Sequence, residues 1–344
     1  MKFYLLTFLI ALLIFSGCTQ SPPPAQNIPA PVPPIPDAPP VAPPTNNPPT
    51  APVPLVEEPP APIETPSGPQ SITMSESPEL KWTGGYADPS IVEFNGKYWM
   101  YLNRFSNNNP NQTGSFVLSS TDGIDWEEET GIIFPGVATT RAFVMNNGVR
   151  VYYPQGPEVQ PGNPASIISS FSSNGKTFTK DSGIRIAPET GYTMDGPTVF
   201  TLKDGTFRLY AAEYALADPT QRKGPIYGAT STDGLTWTKD ETPTLEAEAA
   251  VEGIQPWPQI LHPFVLPYKE GYIMLYNSHS ILFWAYSEDG LEWNKRGRIL
   301  NNGQPIRGAD SDGFFISENE LRVYYGDFHP DTSGVVYTAK LRVE

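Results

Sequence analysis

The sequence predicts an all-β fold, a five-bladed β-propeller of four-stranded antiparallel blades that follows a signal peptide and a disordered proline-rich linker. Three observations predict this fold. A pair of short strands joined by a tight turn recurs five times, a second turn with the pattern Ser-x-Asp-Gly-x-x-Trp follows several of these pairs, and no helical periodicity separates the copies. Strand-only repeats of this length are typical of propellers.

Residues 1–17 form the predicted signal peptide. A charged start at Lys2 precedes an apolar run over residues 3–15, and a small-residue exit ends at Cys18. This exit resembles the bacterial lipobox, in which a peptidase cuts before a cysteine that carries diacylglycerol. Cys18 is the only cysteine of the chain, so lipidation is its predicted role and no intramolecular disulfide can form.

The predicted lipid anchor sets the expected location of the protein. We expect the mature chain to stay on a lipid bilayer of the cell envelope through acylated Cys18, with its globular part outside the cytoplasm. Thr19 stands where an aspartate is associated with inner-membrane retention, which favours the outer membrane in a Gram-negative cell.

Residues 18–72 are predicted to be a linker and residues 73–344 the propeller. The linker is rich in Pro, Ala, Val, Asn and Thr and has almost no aromatic residues, so it cannot form a core. Proline fixes φ and removes amide donors, which favours an extended polyproline-II spacer of up to roughly 160 Å at about 3.1 Å per residue.

Charge and length limit the partners and the domain count. The chain has 22 Lys and Arg against 37 Asp and Glu, a formal net charge of −15. Nucleic acid and anionic lipid headgroups would be repelled by this charge, so no nucleic-acid partner is expected. The part after the linker is long enough for one large core, and we expect a monomer.

Each predicted blade begins with a hairpin. In the first, residues 89–94 and 97–102 flank Asn95-Gly96, a dipeptide that favours a two-residue turn. The other four hairpins turn at Asn147-Gly148, Asp204-Gly205, Glu270-Gly271 and Glu318-Asn319.

The Ser-x-Asp-Gly-x-x-Trp turns are predicted to join the third and fourth strands of a blade. They occupy residues 120–126, 231–237 and 287–293, with a weaker copy at 173–178. Asp caps such a turn, Gly takes the unusual φ and the aromatic residue packs between blades, so their predicted role is structural. The fifth unit lacks this turn. We therefore expect residues 78–82 to supply its outermost strand beside residues 335–342, which closes the ring.

Polar residues recur where the first strand of each hairpin begins and where the second strand ends. Antiparallel neighbours place these two points at the same end of a blade, so the side chains converge on one mouth of the central channel. The first-strand starts carry Asp88, Arg141, Asp195, His262 and Asp310 or Asp312, and the second-strand ends carry Asn103, Arg104, Glu213, Asn277, His279, Asp327 and His329. All three histidines of the chain belong to this set.

We predict a ligand site at this mouth. The residues expected to contact the ligand are Asn103, Arg104, Arg141, His262, Asn277, His279, Asp310 and His329.

Two segments resemble known enzymes. Residues 85–92, Gly-Tyr-Ala-Asp-Pro-Ser-Ile-Val, and the following residues 96–101 resemble the first blade of the five-bladed glycoside hydrolases of family 43, which are arabinanases and xylosidases, and of the invertase-like enzymes. Residues 194–200, Met-Asp-Gly-Pro-Thr-Val-Phe, are similar to a later blade of those enzymes. The resemblance implies that the protein hydrolyses a carbohydrate, that Asp88 is the catalytic base or nucleophile, and that Asp195 positions the substrate and tunes the acid.

The general acid departs from that pattern. In family 43 it is a glutamate beside Gly-Pro or Ala-Pro at the head of the following blade, which here opens with His262-Pro263. Glu252 and Glu213 are the candidates. A carboxylate separation of about 5 Å would imply retention and roughly 6.5–9.5 Å inversion. The resemblance implies inversion, with Asp88 as the base and Asp195 raising the pKa of the acid by its like charge.

Two alternatives concern the ligand. One is a non-catalytic surface propeller that binds a glycan or a protein. The other is a sialidase-like enzyme, because the Ser-x-Asp-Gly-x-x-Trp turns resemble the Asp-boxes of that fold, and because Arg104, Arg141 and Arg307 could gather around an acidic sugar. The Asp-to-Gly spacing is one residue shorter than in an Asp-box, and five hairpins are present where sialidases have six blades.

A third alternative is a metal enzyme that uses His262, His279 and His329 with a carboxylate. No two of these histidines have the close spacing of a local ligand pair. We expect no cofactor, and a structural Ca²⁺ ion in the channel is left open.

Overall fold

The computed structural model describes residues 67–105, 112–137, 139–145, 147–156, 164–216, 224–253, 259–327 and 334–344. The predicted signal peptide, Cys18 and most of the predicted linker lie outside the described residues. No helix in the described ranges is long and apolar enough to cross a bilayer.

Almost all regular structure in the described residues is β-strand. In chain order the strands are β1 (Ile72–Thr83), β2 (Tyr86–Phe94), β3 (Lys97–Arg104), β4 (Gly114–Ser120), β5 (Glu127–Glu128), β6 (Phe134–Pro135), β7 (Arg141–Met145), β8 (Gly148–Gln155), β9 (Ser166–Ser172), β10 (Thr179–Lys180), β11 (Tyr192–Thr201), β12 (Phe207–Ala215), β13 (Ile226–Ser231), β14 (Thr238–Lys239), β15 (Leu261–Tyr268), β16 (Gly271–Ser278), β17 (Ile281–Ser287), β18 (Asn294–Arg298), β19 (Leu300–Asn301), β20 (Gln304–Pro305), β21 (Ala309–Ser317), β22 (Glu320–Asp327) and β23 (Val335–Val343). One short helix, α1 (Ala249–Glu252), precedes β15.

The strands form five antiparallel blades, which confirms the predicted fold. Blades 1 to 4 are β2–β5, β7–β10, β11–β14 and β15–β18, and β6 adds to the edge of blade 1. Blade 5 consists of β21, β22, β23 and β1, with the β19–β20 hairpin beyond β1. The first hairpin turns as expected, because Asn95 (φ 53°) and Gly96 (φ 71°) both have the positive φ of a tight hairpin turn.

The N-terminal strand closes the ring as predicted. β1 pairs antiparallel with β23, from Ile72 opposite Val343 to Thr83 opposite Val335. The closing strand is longer than the predicted residues 78–82 and begins at Ile72. Pairing the two chain ends in one sheet covers an edge that would otherwise be exposed.

In four of the five blades, a tyrosine of the second strand bonds the turn of the next blade. The Tyr101, Tyr152, Tyr210 and Tyr324 hydroxyls donate to the carbonyl oxygens of the turn glycines Gly175, Gly234, Gly290 and Gly123, at 2.6–3.0 Å. Inside each turn the Asp or Asn side chain accepts backbone amides, as Asp122 does from Ile124 (2.8 Å). These turns are therefore structural joints between blades, as the sequence predicts.

The core lies between the blades. Five clusters of buried apolar side chains occur in the described residues, one at each interface between neighbouring blades. Because each blade is covered on both faces by its neighbours, its central strands are buried and hold the channel-facing residues rigidly.

Candidate functional site

A cavity of about 340 Å³ opens where the first strands of the blades begin. It is lined by Asp88, Phe105, Thr139, Asp195, Gln259, Leu261, His262, Asn277, His279, Ser280, Ala309 and Asp310. We call it the mouth cavity. It brings together six of the predicted site residues: Asp88, Asp195, His262, Asn277, His279 and Asp310.

A β-bulge aims side chains into the mouth cavity. In blades 1, 4 and 5 the pairing of the first two strands skips two residues, and the first of these is Asp88, His262 or Asp310. Each has a positive φ (50°, 50° and 55°), which is unusual for a residue with a side chain. In blade 3 the break follows Asp195, and Gly196 takes the positive φ of 55°. Bulges and strained backbone of this kind cluster at functional sites.

Thr139 occupies the corresponding position in blade 2 and was missed by sequence reasoning. It precedes β7, has a φ of 56° and is buried. Its hydroxyl donates to Asp195 Oδ1 (2.5 Å), and its amide lies 3.4 Å from Asp88 Oδ2. The hairpin alignment placed Arg141 at the start of this blade, two residues too late to find Thr139.

Asp88 is buried and lines the mouth cavity. Asn103 Nδ2 donates to its Oδ2 at 3.0 Å. Burial and the negative charge of Asp310 raise the pKa of Asp88 to about 7, although His262, Asn103 and Arg141 act in the opposite direction. Asp88 is therefore poised to gain or lose a proton near neutral pH.

His262 lies between two carboxylates. Its Nδ1 contacts Asp310 Oδ1, and its Nε2 lies 3.6 Å from Asp195 Oδ2. Burial alone would lower the pKa of His262, but the charges of Asp310 and Asp195 outweigh burial and raise it well above its ordinary value. This shift favours the protonated imidazole.

Asp195 is held as an anion. Its Oδ1 accepts the Gly196 amide at 2.8 Å, and its Oδ2 accepts the Tyr214 hydroxyl at 3.3 Å. Burial alone would raise the pKa of Asp195, but His262, Thr139 and the Gly196 amide lower it to about 2. Burial likewise opposes the ionised form of Asp310, yet His262 keeps the pKa of that carboxyl below its ordinary value.

Asn277 and His279 complete the blade 4 side of the cavity. Asn277 Oδ1 lies 3.4 Å from the Asp310 amide. His279 has a φ of 49°, and its Nδ1 lies 3.1 Å from Ser278 Oγ.

The two predicted glutamate acids lie outside the mouth cavity. Glu213 is buried against Lys239 Nζ (2.9 Å) and accepts the Glu189 amide (2.7 Å). The pair Asp195–Ala212 is the one at the channel, and Glu213 pairs with Met194, one residue further along. Because successive side chains of a strand point to opposite faces of the sheet, the Glu213 side chain points away from the channel-facing side. Arg104 is displaced in the same way and lies, exposed, over the Tyr86 ring.

Glu252 has a structural environment instead. It accepts the Tyr276 hydroxyl at 2.8 Å and pairs with Lys295 Nζ at 2.9 Å. The blade 4 counterpart of the tyrosines that bond the turn of the next blade is Leu275, which pairs with Phe264 just after the bulge. Tyr276 lies one residue later and packs in the core between blades 3 and 4. Glu252 thus ties the segment that precedes blade 4 to the second and fourth strands of that blade.

Arg141 is not among the residues that line the mouth cavity. It is buried, and its Nη1 donates to the Pro89 carbonyl oxygen. Near it, burial raises the pKa of Asp312 to about 7 against the charge of Arg141. Arg307 pairs with Asp327 (3.0 Å) at a separate place. Arg104, Arg141 and Arg307 thus have three different surroundings, and the fold has five blades, so nothing here favours the sialidase-like alternative.

No metal centre is visible in the described residues. Within them, no group of three or more His, Cys, Asp or Glu side chains is arranged to hold an ion. His329, the third histidine of the metal-enzyme alternative, lies outside the described residues, as does Cys18.

Comparison with known proteins supports the fold. No protein-family model and no curated protein sequence matches the chain. Solved structures do match. A thermostable family-43 glycoside hydrolase superposes with a TM-score of 0.56 at 19% identity, over 77% of this chain and 96% of that one. A family 117 glycoside hydrolase from the marine bacterium Zobellia galactanivorans gives 0.57 at 16%, over 80% and 92%.

A third similar structure contains a carbohydrate. The GH43_1 enzyme from Xanthomonas citri in complex with xylotriose gives a TM-score of 0.56 at 14% identity, over 78% of this chain and 90% of that chain. The propeller of this chain therefore has the fold of five-bladed glycoside hydrolases, as the resemblance in blades 1 and 3 predicts.

Proposed function

We propose that this protein hydrolyses glycosidic bonds in a carbohydrate, with the reaction taking place in the mouth cavity. The observation that carries the proposal is the set of acid and base groups around one 340 Å³ space. A protonated His262, an ionised Asp195 and an Asp88 with a pKa of about 7 face each other there. Pairs of titratable groups whose pKa values are pushed apart are the usual basis of acid–base catalysis.

Asp88 is the general base in this proposal. Its pKa of about 7 suits a base that works near neutral pH, because such a group is partly ionised and still accepts a proton readily. Asn103 and the Thr139 amide would hold the carboxylate in place while it removes a proton from the attacking water.

His262 is the proton donor, in place of the glutamate expected from the family 43 pattern. It is the cationic acid of the cavity, whereas Glu213 and Glu252 are each paired with a lysine elsewhere. The 3.6 Å between His262 Nε2 and Asp195 Oδ2 is longer than a hydrogen bond. Nε2 is buried and has no hydrogen-bond partner among the described residues, so its proton is free for a leaving-group oxygen once a bound substrate reaches it, and Asp195 orients the ring and stabilises its charge.

Hydrolysis of aryl glycosides and polysaccharides tests this function. Xylosides and xylo-oligosaccharides are the first substrates to try, because a similar structure holds xylotriose. We expect release of reducing sugar from at least one substrate.

A glycan-binding protein without activity is the second candidate. It is favoured by the absence of both predicted glutamates from the mouth cavity. A folded protein that retains a polysaccharide but releases no sugar would support this candidate against hydrolysis.

We also infer that the protein is anchored to the cell envelope through acylated Cys18. The lipobox-like exit at residues 15–18 and the single cysteine support this location. Incorporation of labelled palmitate that is lost in Cys18→Ser would support it, and equal labelling of both forms would rule it out.

A further inference from the structure

A second cavity lies at the junction of blades 4 and 5. Its volume is about 430 Å³, larger than the mouth cavity. Its walls come from β1, from the β22–β23 pair and from residues 301–307. We call it the junction cavity.

The two cavities are lined by neighbouring residues of blade 5. Ala309, which lines the mouth cavity, pairs across the sheet with Gly326. Arg307 and Asp327 stand just beyond this pair and line the junction cavity, where Arg307 Nε donates to Asp327 Oδ1 at 3.0 Å. Ser280, which lines the mouth cavity, accepts the Gly308 amide through its carbonyl oxygen at 2.8 Å, next to Arg307 of the junction cavity. This proximity would let a ligand with two or three sugar units reach both cavities.

The lining of the junction cavity suits a sugar. Tyr337 is partly exposed and its ring stacks on Tyr325, with centroids 5.8 Å apart and planes at 25°. This ring, with Met74 and Pro78, offers an apolar surface to the C–H face of a sugar ring. A cavity that combines an apolar wall with a few oriented polar groups is typical of a small-molecule site.

The polar groups favour a neutral sugar. The Arg307 side chain is 48% exposed and that of Asp327 is 15% exposed. Together they present donors and acceptors to hydroxyl groups without a net charge. The amides of Asn301 and Gln304 add both kinds of group to the same cavity. An acidic sugar would be repelled by the Asp327 carboxylate while it was attracted by the Arg307 guanidinium, so its charge would add little to the binding free energy.

We propose that the junction cavity is a subsite for the sugar units that continue from the mouth cavity, so that the substrate is a neutral oligosaccharide or polysaccharide of at least two units. This inference rests on the proposed function, because it keeps the bond that is broken in the mouth cavity and assigns the sugar units beyond that bond to the junction cavity. Tyr337 and Arg307 are its positioning residues and take no part in the proton transfers at Asp88 and His262.

Binding of trisaccharides tests the subsite without requiring turnover. The affinities of xylotriose, arabinotriose and galactotriose, and of their monosaccharides, would be measured by calorimetry for the purified protein and for Arg307→Ala and Tyr337→Ala. We expect at least one trisaccharide to bind about tenfold more weakly to each variant, and the monosaccharides to bind them unchanged. Arg342→Ala is the matched control, because Arg342 is also an exposed arginine of blade 5 paired with a glutamate, Glu320.

The outcomes separate the subsite from the proposed function. If trisaccharide binding depends on Arg307 and Tyr337 but no glycoside is cleaved, the subsite stands and hydrolysis fails. If trisaccharides are cleaved equally well by the parent protein and both variants, hydrolysis stands and the subsite is wrong. The subsite as proposed would also be overturned if none of the three trisaccharides bound. The same holds if the acidic trisaccharide trigalacturonate bound more tightly than every neutral trisaccharide. Asp327→Asn replaces Tyr337→Ala if the latter fails to fold.

Discussion

Replacing Glu252 by glutamine separates a structural role of this residue from a catalytic one. Glu252 is 1% exposed and pairs with Lys295, which is 5% exposed. It also accepts the Tyr276 hydroxyl and the Glu248 amide (2.6 Å). Glutamine keeps an oxygen for Tyr276 but removes the charge that compensates Lys295.

The loss of stability can be estimated from these contacts. Breaking a buried ion pair by removing one partner costs about 3–5 kcal/mol, because the other charge is left uncompensated. Lys295 keeps Glu248 at 3.3 Å, so we expect the lower end, ~3 kcal/mol. At about 2–4 °C per kcal/mol for a large domain, the melting temperature would fall by ~6–12 °C.

Thermal unfolding and kinetics on the same samples measure the two roles. Below the melting temperature of the variant, we expect kcat/KM to stay within about threefold of the parent value, since Glu252 lies outside the mouth cavity. Glu248→Gln is the control, because Glu248 also contacts Lys295 but is 60% exposed, and its loss should cost under ~1 kcal/mol. A Glu252→Gln variant that is as stable as the parent but inactive would refute the reasoning and restore Glu252 as the acid.

Three further predictions follow from the site and the fold. His262→Gln should lower kcat/KM on oligosaccharides by about 10²–10⁴-fold. The loss should be much smaller on 2,4-dinitrophenyl glycosides, because their leaving group needs no proton. Equal losses of kcat/KM on both substrates would exclude His262 as the acid. The base must be ionised, so kcat/KM should fall as the pH drops below about 7, the pKa of Asp88. It should fall again at alkaline pH, when His262 loses its proton. A flat profile of kcat/KM between pH 5 and 7, measured where the protein stays folded, would contradict the assignment of Asp88 as the base. Tyr210→Phe removes the hydrogen bond to the Gly290 carbonyl oxygen. It should lower the free energy of unfolding, measured by chemical denaturation, by ~1–2 kcal/mol without changing KM. An unchanged free energy of unfolding would show that this bond between blades 3 and 4 contributes little to stability.

Much of the fold could be predicted because it depends on local signals. Asn95-Gly96 and the aspartate of each Ser-x-Asp-Gly-x-x-Trp turn act through their own backbone and nearest neighbours, so they identify hairpins without knowledge of the tertiary structure. Closure by β1 could be predicted from the missing fourth strand of blade 5.

The site could be predicted in part, for a geometrical reason. Asp88, His262 and Asp310 share a position relative to their hairpins, and counting from the turns finds them. Glu213 is one residue out of phase with the channel-facing positions, and a shift of one residue reverses the face of a strand. The exact bulge that sets this phase depends on tertiary packing.

Thr139 and Glu252 depend on contacts with residues that are distant in the sequence and could not be found from local signals. Thr139 takes its role from two carboxylates of other blades, Asp88 and Asp195. Glu252 takes its role from Tyr276 and Lys295, which are 24 and 43 residues away in the sequence.

The most direct test of hydrolysis at the mouth cavity is kcat/KM of the parent protein and of Asp88→Asn on the best substrate of the glycoside panel, with Asp125→Asn as the control. Asp125 is an exposed carboxylate in a turn of the same blade. The account predicts that Asp88→Asn, folded by circular dichroism, loses about 10²–10⁴ in kcat/KM and that Asp125→Asn keeps the parent value. A folded Asp88→Asn protein with full activity would contradict it.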